Sequence, residues 1–500
     1  MKMEDVRFEL PNSWVTVKLG DFVENEKGKK PKSESKVETA SHTIPYVDIQ
    51  AFEEKVIRSW TDGSGCRLCY ETDFLMVWDG SRSGLVGKGM NGALGSTLVR
   101  IYFPSMVNDY AFYFLQSKYQ QINTRAKGVG IPHVDPALLW NYDFPIAPLN
   151  EQHRIVTKIE ELFSELDKGI ENLKTARAQL KVYRQALLKH AFEGKLTAAW
   201  REQNRDQLET AAALQKRIQQ ERAERYQQQL ADRQTNGGNK PKAPKPLPPL
   251  TKEELAELPE LPEGWGWVRV GEIADVQLGR QRSPDNRSNK FPTKYIRAGN
   301  LTDNGLNLDD VLDMEFEPQD RARFLLKAGD VLLSEASGSA HQVGKPAVWR
   351  GEIEECCFQN TVIRVRSLDE LSEYLFWIFK TYYISGVFSK LSGGVGINHL
   401  SAGKLESMAI PLFAISESEK ILGLINEKLS LIENLDLTLT TSLQQAEALH
   451  QSILKRAFSG QLVPQDPHDE PASVLLARIK TERDAQSAKP KLLKATRKSL

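Results

Sequence analysis

Several residue types and patterns are scarce in this chain, and each scarcity argues against a class of protein. Only four of the 500 residues are cysteine, which argues against a disulfide-stabilised secreted scaffold and favours a reducing compartment. No apolar run is long enough to cross a bilayer, and the N-terminus is charged and polar, so we expect a cytoplasmic protein without a membrane partner. Lysine plus arginine equals aspartate plus glutamate at 66 each, so any nucleic-acid site must be local or shared with a partner.

The cysteines do not form a recognisable metal motif. Cys66 and Cys69 lie in one half of the chain, and Cys356 and Cys357 lie in the other. A zinc site would require the two pairs to meet, or a histidine to join one of them. Buried small side chains are the simpler interpretation, and we predict no metal site.

Motifs for catalysis are missing as well. The sequence Val86-Gly87-Lys88 is not part of a nucleotide P-loop, because Arg82 stands where glycine is required and Gly89 stands where serine or threonine is required. The chain has no D/N-P-P-Y/F methyltransferase motif, no G-x-G loop opening a helix, and no recognisable carboxylate cluster of a metal-dependent nuclease. These absences argue against an enzyme.

One long stretch occurs twice. The first copy runs from Gly128 to Leu196 and the second from Gly394 to Leu462, and matched residues differ by 266 throughout without a gap. The copies begin GVGIPH and GVGINH, and they end AFEGKL and AFSGQL. The unit is far longer than a solenoid repeat of about 20–50 residues, which indicates a duplicated half-protein.

Each copy contains a long segment with apolar residues at alternating spacings of three and four, the a/d pattern of a coiled coil. About 45 residues at ~1.5 Å each give a helix of roughly 65 Å. We predict that the two helices of one chain pack antiparallel; a coiled coil between two chains is the alternative. The predicted packing residues are Ile159, Leu162, Leu166, Leu173, Leu180 and Leu187 in the first helix, and Ile425, Ile432, Leu435, Leu439, Leu449 and Ile453 in the second.

The segments that precede the two helices are also related. Pro11 and Trp14 match Pro262 and Trp265 at an offset of 251, so insertions separate the matched ends. Strand-like runs with glycine turns predict globules of similar plan and different content, and the fold class is α+β: two pseudo-repeated α/β domains separated by two long antiparallel coiled-coil helices. The predicted divisions are 1–148 for the first globule, 149–200 for the first helix, 201–260 for a charged helix and a Pro/Lys-rich linker, 261–414 for the second globule, 415–463 for the second helix and 464–500 for a tail.

Two features recur in the globules and are candidate nucleic-acid contacts. One is a glycine-rich turn, WDGSRSGLVGKG and SEASGSAHQVGKP, whose backbone N–H groups and polar side chains suit phosphate; a tight hairpin with solvated charges is the alternative. The other is a basic loop after the first strand, whose more common interpretation is a solvated charge run. The candidate residues are Lys29, Lys30, Ser81, Arg82, Ser83, Lys88, Arg280, Arg282, Ser337, Ser339 and Lys345.

The order of motifs along the chain carries a family resemblance. PLNEQ at 148–152 begins the first long helix, and AFEGKLT at 191–197 ends it. ILKRAFSGQLVP at 453–464 and DEPASVLLARIKTER at 469–483 close the second half, whereas SESE at 416–419 departs from the usual EQ. Over nearly its whole length the chain resembles the specificity subunit of type I restriction-modification systems.

This resemblance implies a role in prokaryotic defence. Each globule would be a target recognition domain that reads one half of a split, asymmetric sequence in double-stranded DNA. The helices would set the gap between the half-sites and dock two modification subunits, which bind S-adenosylmethionine and methylate adenine at N6. Two restriction subunits would add translocation and cleavage with ATP and Mg²⁺, so this chain itself would hold no cofactor and catalyse nothing.

Two other classes stay open at this point. A non-catalytic coiled-coil tether whose globules bind protein would show no DNA dependence in an assembled complex. A stand-alone DNA enzyme would be active as the purified chain with a metal or cofactor alone.

Overall fold

The structure, a computed structural model, describes residues 9–128, 130–236, 243, 246–281, 290–337, 339–367, 370–391 and 398–487. It divides the chain into two compact units. Unit 1 comprises Met1–Lys174 and Thr440–Leu500, and unit 2 comprises Thr175–Leu439. Each unit therefore contains one globule and part of each long helix.

The elements of the unit 1 globule are β1 Val15–Lys18, β2 Glu24–Lys27, β3 Glu34–Ser35, β4 Ile44–Val47, α1 Ile49–Glu54, β5 Trp60–Thr61, β6 Leu68–Cys69, β7 Phe74–Val77, β8 Val86–Lys88, β9 Gly92–Leu94, β10 Leu98–Tyr102, α2 Asn108–Thr124, α3 Pro136–Trp140 and β11 Asp143–Ile146. The globule is built on a four-stranded sheet in the order β2-β10-β7-β8 and a five-stranded sheet in the order β3-β5-β4-β9-β6, while β1 pairs with β11. The central strand β7 is a continuous apolar run and is buried along its length, as expected for a strand covered on both faces.

The first long helix and the connecting helices follow. They are α4 Leu149–Phe192, α5 Ala198–Asn204, α6 Ala211–Asn236 and α7 Lys252–Ala256. The second half then contains β12 Gly266–Arg269, α8 Val270–Ile273, β13 Ala274–Leu278, β14 Pro292–Ile296, β15 Leu301–Thr302, β16 Gly305–Leu306, β17 Leu312–Glu315, α9 Pro318–Phe324, β18 Val331–Ser334, β19 Ala336–Ser337, β20 Pro346–Val348, β21 Cys357–Phe358, β22 Val362–Ser367, α10 Ser372–Ile384, α11 Val387–Leu391, β23 Asn398–His399, α12 Ala402–Ser407, β24 Ala409–Leu412, α13 Ile415–Ala457 and α14 Ala472–Ser487.

The strand order confirms that the globules are repeats. Unit 2 has a four-stranded sheet in the order β13-β22-β18-β20, the counterpart of β2-β10-β7-β8. In both units the first and last strands pair antiparallel, and a short parallel pair, β4 with β9 or β14 with β21, lies in the second sheet. The described part of unit 2 also contains a β15–β16 hairpin, while α1 stands after the matching strand of unit 1. The middles of the globules therefore differ, as their sequences predict.

The two long helices pack antiparallel, as predicted. In unit 1 the ring of Phe163 on α4 lies 4.5 Å from the ring of His450 on α13. In unit 2 Arg177 Nε on α4 donates to Asp436 Oδ1 on α13 at 2.8 Å. From Phe163 to Arg177 the chain advances along α4, while the partners on α13 step back from His450 to Asp436, which is the arrangement of an antiparallel pair.

The predicted packing residues are not all on the contact face. Leu435 and Leu449 are 53% and 49% exposed. The next residue in each case, Asp436 or His450, contacts α4 instead, so polar side chains occupy two positions of the helix contact where the leucines were expected. Ile159, Leu187, Ile425, Ile432 and Ile453 are buried, and Leu162, Leu166, Leu173, Leu180 and Leu439 are partly buried.

A buried glutamate near the start of each long helix ties the helix to its globule. In unit 1, Trp14 Nε1 donates to Glu151 Oε2 at 3.0 Å, and Gln465 Nε2 donates to Glu151 Oε1 at 2.6 Å. Burial raises the pKa of the Glu151 carboxyl, and the bonds from Trp14 and Gln465 oppose that shift. The segment that follows α13 therefore closes the start of α4.

Unit 2 repeats this tryptophan–glutamate hydrogen bond, which we call the Trp–Glu clasp, and its glutamate has different additional donors. Trp265 Nε1 donates to Glu417 Oε2 at 2.8 Å. Thr197 Oγ1 and Arg201 Nε donate to Glu417 Oε1 at 2.7 and 2.9 Å. Glu417 is the matched residue of Glu151 at offset 266, so the second copy keeps the carboxylate and loses only the neighbouring glutamine.

The AF-x-G-x-L motif at the end of each helix has a steric explanation. Gly194 and Gly460 adopt φ of +71° and +73°, in the left-handed region. A Cβ on Gly194 would lie 2.4 Å from Pro262 Cγ, and one on Gly460 would lie 2.5 Å from Pro11 Cγ. The matched glycines thus lie against the matched prolines, and each requires both the left-handed backbone and the missing side chain.

Replacing Gly194 by alanine is expected to lower the free energy of unfolding of unit 2 by about 1–3 kcal/mol, because the new Cβ meets a strained backbone and the proline ring. The measurement is denaturant unfolding followed in unit 2. Gly423→Ala on α13 is the control, since its Cβ would meet nothing within 4 Å, and it should stabilise by roughly 0.5–1 kcal/mol. Equal effects of the two substitutions would contradict this account of the motif.

Candidate nucleic-acid interface

The glycine-rich turn of unit 1 connects β7 to β8 as a tight hairpin. Gly84 N donates to Val77 O at 2.7 Å, and Val77 N donates to Leu85 O at 2.8 Å. Gly84 has φ of +90°, and a Cβ there would lie 2.5 Å from Ile122 Cγ2. This glycine therefore serves the hairpin and the close approach of α2, and the tip of the turn is left to face solvent.

The four candidate residues of this turn differ in exposure. Ser81 and Arg82 are exposed at the tip, and the Arg82 guanidinium lies 2.8 Å from Glu53 Oε2. Ser83 is fully buried. Lys88, at the end of β8, keeps 47% of its side-chain surface exposed. Ser81 and Arg82 can therefore meet a ligand, whereas Ser83 lies inside the turn and Lys88 forms an ion pair with Asp109 of α2.

The basic loop of unit 1 lies beside this turn. Lys27 Nζ donates to Asp79 Oδ2 at 2.7 Å, which joins the end of β2 to the residue before Gly80. Lys29 and Lys30 follow directly and are exposed. The structure thus brings together two candidate segments that are about fifty residues apart in the sequence.

A third segment, the GVGIPH loop at 128–133, lies beside the glycine-rich turn. Gly80 N donates to Pro132 O at 2.7 Å, and Val134 N donates to Trp78 O at 2.9 Å. Our sequence reasoning used this loop only as the start of the repeat and did not place it at a site. Its near-identity in two globules of otherwise divergent content was the signal that could have done so.

In unit 2 two candidate cations are largely buried. Arg280 Nε lies 2.7 Å from Asp320 Oδ2, and its side chain is 11% exposed. Lys345 is 7% exposed, and its Nζ lies 3.3 Å from Asp303 Oδ1. Each would have to exchange an ion pair within the chain before it could meet phosphate.

The remaining candidates of unit 2 lie around its glycine-rich turn. Ser337 is in β19 and pairs with Asn398 of β23. Ser339 is exposed. Arg282 lies outside the described residues. The pairing of β19 with β23 places the second histidine loop beside the second turn, as in unit 1.

A histidine–glutamate pair marks this contact in unit 2. His399 Nε2 lies 2.6 Å from Glu335 Oε1, and Leu400 N donates to Glu335 O at 2.8 Å. Burial raises the pKa of the Glu335 carboxyl, and His399 opposes that shift. His399 matches His133 at offset 266, and in both units this histidine pairs with the second residue after the buried strand, Asp79 in unit 1 and Ala336 in unit 2.

The cysteines do not assemble into a site. Cys69, Cys356 and Cys357 are buried, and burial is the largest cause that raises the pKa of each of these thiols to about 12, which disfavours the thiolate that binds metal. Within the described residues, no group of three or more His, Cys, Asp or Glu side chains is placed to hold a metal ion. In the same part of the chain, no helix has both the length and the apolarity needed to cross a bilayer.

Comparison with known proteins gives a consistent match. A family model described as type I restriction modification DNA specificity domain matches residues 11–175 and 262–445. The type I restriction enzyme MjaVIII specificity subunit of Methanocaldococcus jannaschii is 23% identical over 482 residues, which covers 91% of this chain and 94% of that protein. The EcoKI specificity subunit of Escherichia coli is 23% identical over 389 residues and covers 76% and 71% of the two chains.

Solved structures share the fold. A chain from a study of the assembly and conformational transition of the type I R-M system gives a TM-score of 0.62 at 18% identity over 91% of this chain and 100% of that one. The HsdS subunit of Thermoanaerobacter tengcongensis gives 0.50 at 18% identity over 92% of this chain. The two ranges that the family model matches begin at Pro11 and Pro262, the prolines related by the offset of 251, and each range runs into a long helix.

Proposed function

The chain belongs to the family of type I restriction-modification specificity subunits, and from this premise we propose how it recognises DNA. It acts as the non-catalytic recognition subunit of a restriction-modification complex. Each unit reads one half of a bipartite, asymmetric target, because two related globules with different interiors can hold two different specificities on one frame. The duplicated strand order of the units supports this reading.

One observation carries the assignment of the DNA-facing side. In both units the glycine-rich turn lies against the repeated histidine loop, although the sequences between these segments have diverged. Backbone N–H groups, hydroxyls and cations at such a place suit the phosphate chain, while base edges require side chains that differ between the units. We assign Lys29, Lys30, Ser81, Arg82, Arg282, Ser337 and Ser339 to direct contact, and Ser83, Lys88, Arg280 and Lys345, each buried or ion-paired within the chain, to holding the loops in place.

Removing cations from this side should weaken DNA binding by the assembled complex. For the triple substitution Lys29→Ala, Lys30→Ala and Arg82→Ala we expect a smaller salt dependence, with the slope of log K against log salt falling by about 0.9 per lost phosphate contact. The measurement is DNA affinity over a salt series. Lys480→Ala, an exposed lysine of α14 in unit 1, is the control and should leave the slope unchanged. A triple variant with the native slope would refute the assignment.

The two long helices set the gap between the half-sites, and they dock the partners. We assign two modification subunits and two restriction subunits to the full complex. S-adenosylmethionine, ATP and Mg²⁺ belong to those partners, which carry out methylation, translocation and cleavage.

Exchange of one globule tests the assignment of half-sites. A chain whose residues 261–414 come from a relative of different specificity should direct methylation to a hybrid motif, with one half-site changed and the other retained. A hybrid that keeps both original half-sites, or changes both, would refute the proposal that each unit reads one half-site.

A further inference from the structure

Unit 1 carries an open groove of about 580 Å³ between α2 and the first half of α4. Three aromatic rings and three carboxylates dominate its lining. They are Phe112 and Tyr113 from α2, with Glu160, Phe163, Asp167 and Glu171 from α4. We call this the acidic groove.

The charge of the acidic groove is negative along its α4 side. Glu160 and Glu171 are exposed and eleven residues apart, which places them on one face of the helix three turns apart. Two lysines also line it. Lys168 on α4 offsets one of the three carboxylates, while Lys88 forms an ion pair with Asp109 and its Nζ lies 4.9 Å from the Phe112 ring centroid. The groove therefore combines exposed carboxylates with an aromatic face that already holds one cation.

The groove also contains an acceptor without a donor. Gln116 Oε1 is buried and meets no hydrogen-bond donor within the described part of the chain. A buried amide oxygen left without a partner costs stability, so its place in a groove points to a donor supplied from outside.

Unit 2 contains the matching position. Tyr110 Oη in α2 donates to Pro145 O, and Tyr374 Oη in α10 donates to Pro411 O, which aligns the two helices at an offset of 264. This alignment places Lys380 of unit 2 at the position of Gln116 in unit 1.

In unit 2 the chain itself covers this position. Lys380 Nζ donates to Asp303 O at 2.8 Å, and Tyr383 Oη donates to Asp303 Oδ1 at 3.1 Å. Lys345, the counterpart of Lys88, lies 3.3 Å from the same carboxylate. Asp303 belongs to the β15–β16 hairpin, and in unit 1 the helix α1 stands at that point of the fold. Unit 2 thus covers the Lys380 position with its own hairpin, whereas in unit 1 Gln116 lines an open groove.

We propose that the acidic groove of unit 1 receives an arginine- or lysine-bearing segment of a modification subunit. The proposal rests on the proposed function, from which it takes the partner. A guanidinium suits the lining because it stacks on aromatic rings, pairs with carboxylates and carries enough donors to reach Gln116 as well. Unit 2 presents Lys380 and Lys345 with Asp303 at the matching place, so it offers no such receptor. The two docking sites for modification subunits on one chain are therefore chemically unequal.

The test is assembly of the double variant Glu160→Lys and Glu171→Lys with purified modification subunit, followed by native mass spectrometry over a concentration series. One modification subunit should bind with the native affinity and the second at least tenfold more weakly. Glu160→Gln with Glu171→Gln should show a smaller loss in the same direction. The matched control is Glu427→Lys with Glu433→Lys, two exposed glutamates of α13 in unit 2, which should bind both subunits normally.

Several outcomes would overturn the proposal. Binding of both modification subunits with native affinity to the charge-reversed variant would do so. An equal loss of affinity in the unit 2 control would do so as well. Hydrogen exchange on the free chain gives a further check: protection of α2 that disappears when residues 488–500 are removed would assign the groove to the chain's own basic tail instead. Unfolding curves of variant and native chains should coincide, which separates lost docking from lost folding. Failure of the native chain to bind modification subunits at all would count against the proposed function itself.

Discussion

Replacing Glu417 by alanine is expected to lower the free energy of unfolding of unit 2 by about 3–5 kcal/mol. The Glu417 side chain is 1% exposed, and it accepts hydrogen bonds from Trp265, Thr197 and Arg201. Removing it leaves the Arg201 guanidinium, whose side chain is 14% exposed, without its carboxylate. The cost is the desolvation of the groups left unpaired, which exceeds the net contribution of any single hydrogen bond.

Because the chain has two units, a single unfolding midpoint is not a sufficient readout. Hydrogen exchange followed by mass spectrometry should show the loss in peptides of β12, α5 and the start of α13, with α14 in unit 1 unaffected. Glu419→Ala, two residues along the same helix and exposed, is the control and should change stability by less than about 0.5 kcal/mol. A Glu417→Ala variant that behaves like this control would show that the Trp–Glu clasp does not stabilise unit 2.

Inserting seven residues into each long helix, after Leu173 and after Thr440, should widen the gap in the recognised motif by about three base pairs. Seven helical residues add ~10.5 Å, and successive base pairs are ~3.4 Å apart. Seven is also the heptad length, so the residues on both sides of the insertion keep facing the partner helix. The readout is the methylated motif, in which both half-sites should stay unchanged around a longer gap.

The same insertion in α4 alone is the informative control. Asp167 Oδ1 lies 3.3 Å from His450 Nε2 in unit 1, and Arg177 pairs with Asp436 in unit 2. A one-sided insertion leaves the two pairs out of register with each other, so methylation of the original motif should be lost. Polar contacts within a helix pair are the groups that fix its alignment. An unchanged gap in the two-sided variant would show that something other than helix length sets the spacing.

The helix pair could be predicted because its information is local and repeated. The three-and-four spacing, the constant offset of 266 and the matched ends require two equivalent helices, and a chain that holds both buries them against each other most simply. The error at Leu435 and Leu449 has a physical cause. A seam read from apolar residues alone cannot anticipate that Asp436 and His450 gain partners on α4, so the leucines before them remain exposed.

The candidate site was less accessible to sequence reasoning. The segments that carry Lys29, Arg82 and the histidine loop are joined only by hydrogen bonds between residues far apart in the chain. Basic residues were also treated as equivalent, although Arg280 and Lys345 are buried against Asp320 and Asp303 while Lys29 is exposed. Charge in a loop is visible in a sequence, whereas the acid that neutralises it is usually not.

The most direct measurement of the central claim is a map of N6-methyladenine in the genomic DNA of the source organism, with and without this gene. The account predicts one motif with two short defined halves around a fixed gap, methylated in the presence of the gene and unmethylated in its absence. Restoring the gene on a plasmid should restore the same motif. A source organism with active modification subunits in which no methylated motif depends on this gene would contradict the account.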